Sequence, residues 1–222
     1  MKKTMILMLA GLMAMSLISC SENNSSTADS ADITTTVATT TETSAAEDET
    51  SSTESADSNS EAAEGTPLAT LNKIWASYQE DEKFAVIGGD FSEENNNPEG
   101  PGKYDLADAE AVDASLGMPQ TAVAKLDDAA SMVHMMNANT FTSSAYLVKD
   151  GEDVAAIAEE LHTNIMNRHW MCGFPDKLVI FTIDNQIVSA FGALDPIDKF
   201  KEKVIAAYPD AVLTVESDIV TA

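Results

Sequence analysis

The chain has 222 residues, and 37 acidic against 12 basic side chains give it a formal net charge of −25. Such a field repels nucleic acid and anionic lipid headgroups, so neither is expected as a partner. Its two cysteines, Cys20 and Cys172, are too few for a disulfide-stapled scaffold, and the fold must rest on an apolar core.

Lys2 and Lys3 precede an apolar run from Met5 to Ile18. That run is shorter than the roughly 20 residues a membrane-spanning helix needs, and residues 1–19 read as an export signal. Leu17-Ile18-Ser19-Cys20 resembles the lipobox of bacterial lipoproteins. The resemblance implies that the Cys20 thiol carries diacylglycerol and that the chain is cut just before it. Two or three acyl chains on one residue hold a membrane where a single chain does so only marginally, so Cys20 is expected to be an anchor on the extracytoplasmic side.

Residues 20–66 follow as a disordered acidic tether. From Ser21 to Thr66 there are 11 Asp and Glu, no Lys or Arg, and only Ile33 and Val37 as larger apolar residues, too little to repay ordering entropy. As a flexible coil it has an r.m.s. span of roughly 40 Å. Residues 67–222 hold 10 basic and 26 acidic side chains and suffice for one globular domain.

Thr66-Pro67 reads as an N-cap with proline at the first helical position. Leu68, Leu71, Trp75 and Tyr78 extend that helix to about Glu80. Phe84 to Ile87 is a short strand ending at Gly88-Gly89. Ser92 to Gly102, "SEENNNPEGPG", has no apolar residue and reads as an exposed, mobile loop; the alternating acidic pattern of an EF-hand is not met. Asp105 to Leu116 is a short helix, and residues 120–137 fit either a helix or a strand.

Thr140 to Lys149 reads as a strand and Val154 to Ile165 as a helix. "KLVIFTI" (Lys177 to Ile183) and "QIVSAFG" (Gln186 to Gly192) form a hairpin about Asp184-Asn185. Asp195-Pro196 caps a helix carrying Ile197, Phe200, Val204 and Tyr208, and Ala211 to Val215 is the last strand. The expected class is α+β: a ferredoxin-like β-α-β-β-α-β C-terminal half with its helices on one sheet face, plus N-terminal helices.

"NRHWMCGFPD", Asn167 to Asp176, is the stretch richest in chemistry. Cys172 and His169 are candidates for a thiol nucleophile and its base, but a helix C-terminus disfavours a thiolate. Trp170 and Phe174 read as core plugs, and Met132, Met135 and Met136 as core filling. His162 and His169 are about 10 Å apart along a helix, and with His134 alone no four-ligand metal site is completed. No GxSxG, GxxxxGK or GxGxxG motif occurs, so no cofactor is expected.

The lipobox, "TLNKIW" at Thr70 to Trp75, and "RHWMCGFPDKLVIFTIDNQIVSAFG" from Arg168 to Gly192 together resemble a family of bacterial lipoproteins carrying a domain of unknown function, the 4358 family. The resemblance implies a lipoprotein outside the cytoplasmic membrane and brings no catalytic residues. The leading expectation is a non-enzymatic binding module at the cell envelope, its partner another envelope protein or a wall component. Two alternatives stand beside it. One is an envelope thiol enzyme using Cys172 and His169, and the other a receptor for a small cationic solute, marked by an aromatic pocket with converging carboxylates.

Overall fold

The computed structural model describes residues 63–171 and 173–219. The segments expected to be an export signal and a tether up to residue 62, Cys20 and Cys172 lie outside the described residues. Thr66 caps the first helix as its sequence predicts: its hydroxyl accepts from Ala69 N, and Pro67 occupies the first turn. In chain order the elements are α1 (Pro67–Ala76), β1 (Val86–Gly88), β2 (Gly102–Lys103), α2 (Ala109–Leu116), α3 (Gln120–Val123) and β3 (Leu126–His134). There follow β4 (Phe141–Val148), α4 (Val154–Met166), β5 (Lys177–Ile183), β6 (Gln186–Gly192), α5 (Leu194–Ala207) and β7 (Val212–Asp218). The stretch that fits two periods thus splits into one helical turn and a long strand.

Seven antiparallel strands form one sheet in the order β1-β3-β4-β6-β5-β7, with β2 also on β3. The class is α+β, and the element order β-α-β-β-α-β is present from β4 onward. Its pairing departs from the ferredoxin-like expectation, in which the last strand returns beside the first. That edge of β4 is already occupied by β3, from Leu126 opposite Val148 to Val133 opposite Thr142. The last strand, β7, therefore takes the free edge of β5.

The two crossovers now run the same way across the sheet from oppositely directed strands, and right-handed connections then put their helices on opposite faces. On one face α4 lays Ile157, Leu161 and Ile165 against Leu178, Ile180, Ile187 and Phe191. On the other, α5 and α1 lay Phe200, Val204, Leu71 and Ile74 against Val179, Phe181 and Val188. Strands β5 and β6 are buried on both faces, which is why they read as continuous apolar runs. Phe174 is a second correction: at 60% exposure it plugs nothing.

A third correction concerns the start of α5. It begins at Leu194, and the carboxylate that accepts from Leu194 N is Asp176, not Asp195. Asp176 sits on the loop before β5 and is held there by its own N–H to Gly192 O. The cap is therefore supplied across the sheet, where no local pattern reveals it.

Candidate functional site

The end of the sheet at which β3 turns into β4 is assembled from four segments. His134 accepts from Met136 N and Asn137 N through Nδ1 and fixes the turn, while its ring stacks on Phe84 at 5.8 Å. Asn139 Nδ2 donates to Gly173 O, bringing the loop after α4 alongside. Ala193 N donates to Thr140 O, which brings in the start of α5.

The fourth segment is the connection between β1 and β2, which is built rather than loose, contrary to the expectation of a mobile loop. Gly88 N and Asn97 N exchange bonds with the carbonyls of Asn97 and Gly88 at 2.8 and 3.0 Å, and Asn97 Nδ2 donates to Pro101 O. Trp75 Nε1 of α1 donates to Glu99 O. Asp90 gathers Ser92 N, Asn95 Nδ2 and Asp105 N. Burial acts to raise the Asp90 carboxyl, yet the donors of Ser92, Asn95 and Asp105 outweigh it and hold it at about 2.

The folded value lies below the ordinary 3.8, so the stabilisation is complete above that value and is lost as pH falls through the window toward 2. The Ser92 backbone amide and the Asn95 side-chain amide, both donating to Asp90, are expected to move together as pH falls below about 3, with the midpoint at about 2. In Asp90→Asn that acid transition should vanish from these residues. An unchanged transition would assign it to another carboxylate.

This loop presents Phe91 in a left-handed backbone conformation (φ 64°) with its side chain 58% exposed. Such strain in a bulky residue persists only where the surroundings impose it, and it clusters at binding and catalytic sites. Behind Phe91 lies a cavity of about 150 Å³ on the α4 face. Its walls include Leu116, Val133 and Phe191, with hydroxyls from Tyr104, Ser115, Ser131 and Thr142. The charged member of the lining is Arg168, and no carboxylate lines it.

Arg168 leaves the end of α4 and donates through Nη2 to Asp113 O, 3.6 Å from Asp113 Oδ1. Burial lowers its pKa, opposed by the Asp113 charge. It also stacks on Trp170, 5.3 Å from the ring, and Trp170 in turn packs on Phe191. On the α5 face a wider depression of about 340 Å³ is lined by Glu82, Phe84, His134, Thr140, Asp195 and Lys199. The β3–β4 turn separates the two hollows.

Around them stand large apolar side chains that water reaches: Met136 at 82%, Met171 at 87%, and also Met135, Phe174 and Leu194. Met135 and Met136, read from the sequence as core filling, are thus corrected; Met132 alone of the three is buried. Sequence reasoning missed this pole because an apolar residue in a turn carries no mark of which way it faces. The available signal was position, since Met135 and Met136 directly precede Asn137.

The residues singled out for chemistry do not gather here. His169 is exposed, and Cys172 lies outside the described residues. His162 is engaged elsewhere, 3.3 Å from Ser217 Oγ and 3.5 Å from Glu159. Among the described residues no group of three His, Cys, Asp or Glu could hold a metal ion, and no helix is long and apolar enough to cross a membrane. The combination sought for a cationic solute, aromatic rings with carboxylates, is absent from the Arg168-lined cavity but occurs in the α5-face depression, where Phe84 and His134 stand with Glu82 and Asp195 and where Lys199 and Lys203 engage Glu82. Comparison with protein families, curated proteins and solved structures finds no match to this chain.

Proposed function

We propose that this chain is a lipid-anchored extracytoplasmic lipoprotein whose domain is a non-enzymatic binding module at the cell envelope. The lipobox ending at Cys20 motivates the anchor. The observation that carries the binding role is the exposed apolar pole around the Phe91 cavity. A cluster of large apolar side chains left to water marks an interaction surface.

The position of the pole supports the same reading. The chain enters the domain at the other end of the sheet, where Gln186 Nε2 donates to Gly65 O and Gln186 Oε1 accepts from Thr70. Six residues of β4 separate the register of Gln186 from that of Gly192, or about 20 Å. The apolar pole therefore lies at the end of the sheet opposite Gly65, where the described chain enters the domain.

Two measurements test this function. Metabolic labelling with an alkynyl fatty acid should mark the wild-type chain and fail on Cys20→Ser. A photocrosslinking residue at Met136 should join the chain to a discrete partner in cells, and one at the exposed Ile205, far along α5, should not. Label that survives Cys20→Ser removes the anchor, and equal crosslinking from both positions removes the pole.

A further inference from the structure

We infer that the pole receives a basic polypeptide segment, which seats one apolar anchor side chain in the Phe91 cavity and sets its lysines or arginines over the surrounding carboxylates. This rests on the binding-module reading and names the class of partner for the same surface.

The cavity fixes the anchor. At about 150 Å³ it matches a space that takes a benzene-sized group, so one Leu, Met or Phe side chain fills it. Leu116, Val133 and Phe191 give that side chain apolar walls, and Phe91 flanks it. The wall also contains Arg168, a cation, so a partner's positive charge has no place inside. Guanidinium has five N–H donors, and one of the two on Nη2 is given to Asp113 O.

The surrounding charge fixes the flanks. Glu93 and Glu94 adjoin Phe91, while Asp176 and Asp195 adjoin Phe174 and Leu194. Among the described residues no ion pair engages any of these four. Four of the lysines are committed elsewhere: Lys177 and Lys201 to Glu216, Lys199 and Lys203 to Glu82. Asp176 is engaged at the start of α5 through Leu194 N and Asp195 shares its depression with Lys199, so the uncompensated negative charge beside the cavity is that of Glu93 and Glu94 next to Phe91, an arrangement that attracts and orients a positive partner.

The same charge disfavours other occupants. A second copy would set carboxylate against carboxylate, and an anionic bilayer is repelled by the whole domain. An interface with an apolar centre and a charged rim is the ordinary anatomy of protein recognition.

The test is a random nine-residue peptide library displayed on phage and panned on the whole chain. The expected winners carry net positive charge around a single large apolar residue. A synthetic winner should lose at least ten-fold in affinity with Phe91→Ala, and similarly with Glu93→Lys combined with Glu94→Lys. It should be indifferent to Ile205→Ala and should weaken as salt rises from 0.05 to 0.5 M. All these positions are exposed, and circular dichroism checks that each variant folds. Neutral winners that still depend on Phe91 would overturn the basic partner while leaving a binding pole. Winners indifferent to both changes, or no enrichment, would overturn the inference and the binding reading together.

Discussion

Gly102→Ala is expected to destabilise the domain by about 1–3 kcal/mol, the range for forcing extra atoms into a packed site, and Gly88→Ala by at least as much. A Cβ on Gly102 would lie 2.5 Å from Asn95 O and 2.6 Å from both Gly88 C and Gly89 N. On Gly88 it would lie 2.2 Å from Gly102 N and 2.4 Å from Gly100 O. These are all backbone atoms, so no rotamer change relieves the clash and the loop must open. Gly100→Ala is the control within the same loop: its Cβ meets side chains at 3.4 Å or more and should cost no more than about 0.5 kcal/mol. Urea midpoints at constant m-value separate the three. Equal midpoints for Gly100→Ala and Gly102→Ala would mean that the loop is not clasped.

The consequence reaches the pole, because the clasp is what aims Phe91 and Asp90. Both variants should release the left-handed conformation at Phe91, and the acid transition assigned to Asp90 should then be weakened along with it. A site built on a strained residue needs this kind of support, since strain relaxes wherever the surrounding backbone is free to move.

Local signals in the sequence carried much of the fold. Thr66-Pro67 marks the start of α1 because capping is a property of adjacent residues. The runs over 177–183 and 186–192 mark β5 and β6, and Asp184, at φ 51°, turns between them as a residue tolerant of positive φ. Pairing was less legible. Nothing in Val212 to Asp218 says that β4's edge is taken, because that depends on β3, whose own period was ambiguous.

The pole was the least legible part. An Asn-rich segment with no apolar residue reads as loose, yet Gly88, Gly89 and Gly102 let two backbones approach within a distance only glycine permits. That proximity is tertiary. Phe174, Met135 and Met136 count as apolar in any composition, and only the path of four separate loops leaves them in water. Asn167–Asp176 is rich in chemistry-bearing residues, yet Arg168 matters for its place in a cavity wall.

Phe141→Ala should be the costlier of the core changes, at about 3–5 kcal/mol. Phe141 opens β4 and is fully buried; Phe84 meets its ring edge-on at 5.1 Å and Phe200 at 5.6 Å. Removing it empties the space between α5 and the residues preceding β1, which come from distant parts of the chain and cannot both collapse inward. The loss also travels: Phe84 stacks on His134, and His134 fixes the turn that carries Met135 and Met136. Phe141→Leu retains most of the volume and should cost less than about 1.5 kcal/mol if the site repacks. Denaturant unfolding measures both, and backbone amide shifts of residues 135–139 report the turn. A Phe141→Ala loss near 1 kcal/mol, with those shifts unmoved, would show that the aromatic cluster neither holds the α5 face together nor supports the pole.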